Sequence, residues 1–246
     1  MEVHHHSNQH ENKNWKHYFW EFLMLFLAVF SGFMAEYQLE HKIEKDRESQ
    51  YINSLLADLN EDTIVLTETI TEYNGHLKKN DTLINILTGT EIKNHTNDLY
   101  YFARSASRSV QLALHDFTIK QMKSSGGFRL IRNQNASKAI IEYYNRMIFI
   151  DYLQGIELYE TNEYRKMAIN VFHPAVFHDM ISPDDIVLRP ENNPALLDNE
   201  PKTLLQIAGM ISYISNTKLG LIKAELEMKE AAIKLIALIK KEYQLN

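Results

Sequence analysis

Cysteine is absent from this 246-residue chain. Disulfide frameworks, thiolate zinc sites, iron–sulfur clusters and cysteine nucleophiles are therefore excluded. Proline is scarce and confined: Pro174, Pro183, Pro190, Pro194 and Pro201 all fall in one 28-residue window. Proline costs about 3 kcal/mol inside a helix. A chain free of it elsewhere, and rich in Leu, Ile, Glu, Lys and Ala, is expected to form long helices joined by one irregular connection. Strand-like alternation is missing throughout. A basic excess is missing too. Formal net charge is −6, and beyond Leu39 there are 24 Lys+Arg against 28 Asp+Glu. No phosphate-tracking surface is expected from that balance, so nucleic acid is not an expected partner.

What the chain does have is one long apolar run, Tyr18 to Leu39, uncharged from Phe22 to Ala35. As a helix it would be ~33 Å long, against a hydrocarbon core of about 30 Å. Trp15, Tyr18 and Trp20 form an aromatic belt at one end and Tyr37 marks the other. The run is read as a single transmembrane helix, with the lipid bilayer as a partner. A cleaved signal peptide fits less well, because Phe33 ahead of Ala35 spoils a small-x-small cleavage site.

The predicted span is two-sided. Phe22, Phe26, Phe30, Phe33 and Tyr37 recur at helical spacing and would face lipid. Glu21, Ala28, Ser31, Gly32 and Ala35 gather on the other side. Ala28 and Gly32 form a small-xxx-small pair that lets helices approach closely. Two readings are open: a helix-association face with Glu21 sheltered in it, or a lone anchor whose Glu21 reaches headgroup water.

Three domains are expected: a polar, His-rich tail over 1–17, the transmembrane helix over 18–39, and a soluble helical bundle over 40–246 with a proline-rich connection at 173–202. The tail's His4, His5, His6, His10 and His17 lack a fixed carboxylate or second pair, so no metal site is assigned. The membrane helix is expected to run on unbroken to Leu87. Ile52, Leu55, Leu59, Thr63, Leu66, Ile70, Tyr73, Leu77, Asn80, Ile84 and Leu87 recur at 3,4 spacing as a coiled-coil-like stripe. Gly89 looks like the stop. Asn97 is a candidate cap for a second helix. A segment from His115 to Ser125 ends at Ser124-Ser125-Gly126-Gly127, a C-cap signal. Asn135 would cap a third helix reaching Phe172, and a fourth would start near Thr203. The expected fold class is all-α, a single N-terminal transmembrane helix continuing into an antiparallel bundle of about four long helices.

The stretch KQMKSSGGFRLIRNQNASKAIIEYYNRM and the closing LIKKEY carry a resemblance. With its N-terminal span, Lys-Ser-Ser-Gly turn, Leu-Ile-x-Asn step and the pair Tyr143–Tyr144, the chain resembles a Bacteroidota family of N-terminally anchored, single-pass helical membrane proteins without an established function. That resemblance implies a membrane protein of the bacterial cell envelope, with the bundle on the periplasmic side of the inner (cytoplasmic) membrane. It brings no catalytic residues. The His-rich tail departs from the more basic tails of the family.

Lys123, Ser124, Ser125, Gly126, Gly127, Arg129 and Arg132 form a candidate anion site, because backbone N–H groups at a Gly-rich turn beside three cations can hold an anion. A helix C-cap followed by a basic surface turn accounts for the same residues more simply. His173, His178, Asp179, Asp184 and Asp185 lack a ligand spacing. His115-Asp116 has no identifiable nucleophile to serve, and Asp116 is expected to cap a helix. No catalytic, cofactor-binding or metal residues are assigned. The expected function is a non-enzymatic scaffold or accessory subunit of an envelope complex, working through self-association (a homo-oligomer) or with another envelope membrane protein. Two other classes are open: an extracytoplasmic four-helix-bundle ligand sensor signalling through a partner, and an enzyme, the least expected of the three because no catalytic set is assigned.

Overall fold

The computed structural model describes residues 15–245; the His-rich tail expectation falls on residues outside these, apart from His17. Six α-helices are present among the described residues: α1 (Trp15–Leu87), α2 (Thr96–Ala106), α3 (Phe117–Ser125), α4 (Gln134–Ala168), α5 (Pro174–Asp179) and α6 (Pro201–Glu242). No β-strand occurs among them, and a lone bridge pairs Ile181 with Val187 in the proline-rich connection. The chain is all-α. Its contacts divide it into two units, Met1–Gln50 and Tyr51–Asn246, and α1 contributes to both.

In the first unit, α1 carries the apolar run. No residue of its most apolar window is buried, and by length and composition this helix is able to cross a membrane. Phe22, Phe26 and Phe30 stack along one side, with ring centroids 6.3 and 5.8 Å apart. One turn before the apolar core, His17 Nε2 lies 3.1 Å from Glu21 Oε1.

In the second unit three long helices supply the frame. Side-chain pairings give their directions. Asp62 pairs with Tyr143, and Tyr73 with Glu157, so α1 and α4 run parallel. Glu157 pairs with Lys218 and Asn133 with Glu242, so α6 is antiparallel to α4. Asn80 donates to Ser215 at 3.0 Å. Two shorter helices, α2 and α3, and the segment between them fill the remaining groove. The chain climbs through α2 at one end and then descends as an extended segment that leads into α3. Arg165 Nε holds the Ser107 carbonyl at 3.1 Å, Tyr73 reaches the Val110 carbonyl, Asp62 takes the His115 N–H, and Tyr51 meets Ser125. The partners on α1 fall from 73 to 51 as the segment advances from 110 to 125.

Two apolar cores result. One gathers Leu55, Leu59, Leu66, Met122, Ile140, Ile150, Leu221 and Leu235. The other, around α2 and the proline-rich connection, gathers Leu83, Leu99, Tyr100, Tyr164, Phe172, Ile207 and Ile211. Each fully buried aliphatic side chain contributes about 1.5–3 kcal/mol.

Several local expectations are corrected. The third helix is capped by Asn133, whose Oδ1 accepts from Ala136 N at 3.0 Å, not by Asn135, and it ends at Ala168. Asn97 lies inside α2. Asp116 occupies the cap position of α3 but makes no side-chain cap bond; its carboxylate pairs with Lys120 at 2.5 Å instead. Helix α6 opens at Pro201, where a missing N–H costs nothing.

Candidate functional site

From Ile52 the buried positions of α1 step by three and four, through Ile52, Leu55, Leu59, Asp62, Leu66, Thr69, Tyr73, His76, Asn80, Leu83 and Leu87, with Leu56 buried beside Leu55. Thr63, Ile70, Leu77 and Ile84, the stripe members expected from apolar periodicity, each lie one residue further along and are half-buried flanking positions. The register of the helix, not the polarity of the residue, decides what is buried. The same holds for α6, where Lys218 and Glu225 take inward positions between Ile214 and Met228, and for α4, where Glu157 and Thr161 do.

These polar residues form a layer between the two apolar cores. Lys218 and Glu157 are 0% and 1% exposed. Lys218 Nζ donates to Glu157 Oε1. Tyr73 OH shares its proton between Glu157 Oε2 at 3.1 Å and the Val110 carbonyl at 3.2 Å, and its ring lies 5.3 Å from Lys218 Nζ. Burial, reinforced by the Glu157 charge, raises the Tyr73 hydroxyl's pKa above its ordinary value, so it remains a donor. His76 is pushed down to about 4 by burial and then by Lys218, Lys79 and Arg108; it is neutral at pH 7. Glu225 is wholly buried and neither oxygen has a hydrogen-bond partner. Burial lifts its pKa to about 7; neighbouring Thr69 opposes the rise and the Glu157 charge adds to it. Thr69 gives its own proton to the Val65 carbonyl at 2.8 Å.

Asp62 forms a second node. Its carboxylate takes Tyr143 OH at 2.8 Å and His115 N at 2.7 Å, with His115 Nδ1 at 3.2 Å. Burial nonetheless raises its pKa, against the lowering effect of those bonds. Asp62 thereby ties the descending segment to α1 and α4. His115 thus finds its carboxylate on α1 and not in the adjacent Asp116.

The Gly-rich turn is placed at the end of α3. Gly126 is left-handed, φ 67°, as a C-cap requires. Both serine hydroxyls turn back to the Gln121 carbonyl, at 3.0 Å for Ser124 and 2.8 Å for Ser125. Gly127 is buried, and a Cβ there would lie 3.0 Å from the Tyr51 ring. The hydroxyls and Gly127 are thus committed to capping and packing, and the side chains of Lys123, Arg129 and Arg132 are exposed. Glu21, Ala28, Ser31, Gly32 and Ala35, the expected helix-association face, are all exposed along α1, and a Cβ on Gly32 would meet nothing within 4 Å. In the proline-rich connection, Asp185 pairs with Arg108, and His173 Nδ1 accepts from Ala175 N at 3.3 Å to cap α5.

The chain matches no family model, no curated protein and no solved structure.

Proposed function

We propose that this chain is a single-pass, membrane-anchored, non-enzymatic helical scaffold or accessory subunit of an envelope complex. Its partners are the bilayer and either a second copy or another envelope membrane protein. In line with the family resemblance, we place the span in the inner membrane and the bundle on the periplasmic side. One observation carries the reading. No residue of the apolar run of α1 is buried, while the strongest cluster of ionisable groups, Lys218, Glu157, Glu225 and Tyr73, is sealed inside the bundle. Exposed apolar surface on that scale marks a membrane or protein contact. Groups sealed from solvent hold a bundle in register; they do not meet a substrate.

The test is a pull-down of the full chain from gently solubilised membranes, with mass spectrometry of what accompanies it. A stoichiometric protein partner, or a second copy, is expected. A monomer carrying a small molecule would favour the sensor reading instead. For that reading the relevant feature is a cavity of about 330 Å³ beside α5, lined by Val176, Met180, Leu188, Arg189, Pro190 and Pro194.

A further inference from the structure

We infer that the outward face of α4 is the contact between two copies of this chain, docked as a parallel two-fold pair through Ile141, Asn145, Ile148, Tyr152, Gly155 and Tyr159. This rests on the self-association reading above and names its surface.

The inward face of α4 already follows a coiled-coil rhythm, through Ala136, Ile140, Tyr143, Ile150, Glu157, Thr161, Tyr164 and Ala168. Directly opposite, a second rhythm steps by four and three from residue 141 to 159. Its large members are open to solvent: Ile148 is 69% exposed, Tyr152 64% and Tyr159 66%. Phe149 and Leu158 widen the stripe. Being apolar on both sides, α4 has almost no net amphipathic direction. A helix that covers only its own bundle needs one seam; α4 has two, each an a/d pattern running through nearly three heptads.

The outward face of α6 shows the contrast. Leu219, Leu226 and Ile233 occupy one heptad position, but Lys223 and Glu230 occupy the other. A partner helix laid there would bury charge, so α6 offers scattered apolar residues and no seam.

Two residues select the occupant and its direction. Asn145 is the polar member of the α4 seam. In a parallel pair it meets Asn145 of the second copy, amide to amide, and each satisfies the other; a lone a-position Asn is a known device for fixing register. In an antiparallel pair centred on the stripe it would face Gly155, which offers no side chain. Gly155 itself is open, with nothing within 4 Å of a Cβ built on it. It leaves room for the tyrosine rings that flank it one turn either side.

The area is adequate. The exposed parts of the stripe amount to roughly 600–700 Å² per copy, near the ~800 Å² per partner of a standard interface. A shared bilayer supplies the rest, because tethering two copies through their spans raises their effective concentration.

The cysteine-free chain makes the test clean. Single cysteines are placed in the full-length chain in its native membrane and oxidised. Asn145→Cys and Tyr152→Cys are expected to give disulfide-linked dimers, and Leu226→Cys on α6 is not. Adding Ile148→Glu to Asn145→Cys should lower the dimer fraction at least about tenfold, because it would bury a charge at the seam. The helical circular dichroism should be unchanged, since Ile148 faces away from the core. The inference is overturned if Leu226→Cys crosslinks as readily as Asn145→Cys. It is also overturned if Ile148→Glu changes nothing, or if mixed Ile141→Cys and Tyr159→Cys chains crosslink while Asn145→Cys does not. If these cysteines stay monomeric while Gly32→Leu still alters the oligomer, self-association survives and the α4 face is wrong. If neither reports an oligomer, both ideas fall.

Discussion

Lys218 and Glu157 meet across the α4–α6 contact with neither side chain in reach of water, and Tyr73 from α1 holds the second Glu157 oxygen. Three helices thus converge on one ion pair. Breaking such a pair leaves an uncompensated charge in a low-dielectric interior, at about 3–5 kcal/mol, whereas replacing both partners with apolar groups is often nearly neutral. Lys218→Met and Glu157→Leu are each expected to lose that much in urea unfolding of the full chain in detergent. The double variant should recover most of it. Additive losses in the double variant would show that the two residues do not act as a pair.

The same layer gives stability an opposed pH dependence. Glu225 has its pKa raised to about 7 from the ordinary 4.5. Between those values the folded chain keeps a proton that the unfolded chain has released. Its contribution is therefore greatest below about pH 4.5 and falls as pH rises to about 7, by on the order of 3 kcal/mol. His76 runs the other way. Held at about 4 against 6.5 unfolded, it contributes fully above pH 6.5 and loses that contribution as pH falls to about 4. Facing groups from each packed helix take part: Thr69 from α1, Glu157 from α4 and Lys218 from α6. Glu225→Gln is expected to be more stable than wild type at pH 8, its stability relative to wild type rising between about pH 4.5 and 7. Urea midpoints at pH 5, 6, 7 and 8 decide it; curves that run parallel for the two proteins contradict it.

Asp62 should control the descending segment. Asp62→Ala removes the acceptor shared by Tyr143 and His115 and leaves Tyr143 OH buried without it, at about 1–3 kcal/mol per orphaned donor. Amide exchange is expected to rise first at His115 and the residues around it. Uniform exchange across the bundle would argue that the segment is held by packing alone.

Much of the architecture was legible from composition and periodicity: the helical class, the apolar span, the left-handed Gly126 cap and the proline-rich break. What was not legible was the polar layer. Apolar periodicity favours Thr63 over Asp62, Ile70 over Thr69 and Leu77 over His76, and in two of those three places an apolar residue sits one step past the buried polar one. A strict 3,4 step from Ile52 would have placed Asp62, Thr69 and His76 inward. The same step from Ile214 would have reached Lys218, Leu221 and Glu225. The pairs Lys218–Glu157, Asp62–Tyr143 and Tyr73–Glu157 span 61 to 84 residues, a distance that local periodicity does not bridge. The course between α2 and α3 was not legible for a related reason. The segment from 107 to 116 has no helix-breaking proline, and its extended course is set by acceptors and donors on α1 and α4.

The apolar run of α1 and the exposed face of α4 offer two handles, one optical and one chemical. Trp15 and Trp20 are the protein's only tryptophans, so all tryptophan emission reports on the start of α1. In vesicles, lipids brominated near the headgroup should quench that emission more than lipids brominated at the chain ends, as an interfacial belt requires. Equal quenching at both depths would contradict the placement. For orientation, Lys138→Cys lies on an exposed turn of α4. Its labelling by an impermeant maleimide in intact spheroplasts is expected if the bundle is periplasmic, and labelling only after lysis would reverse the orientation.

The mass of the intact assembly, released from lipid nanodiscs formed directly from native membranes, tests the scaffold reading most directly. A scaffold should appear as a whole-number multiple of the chain or in fixed ratio with one other envelope protein. Ile148→Glu should reduce a homo-oligomer toward monomer. A single chain carrying only a small molecule, unchanged by Ile148→Glu and by Gly32→Leu, would contradict it.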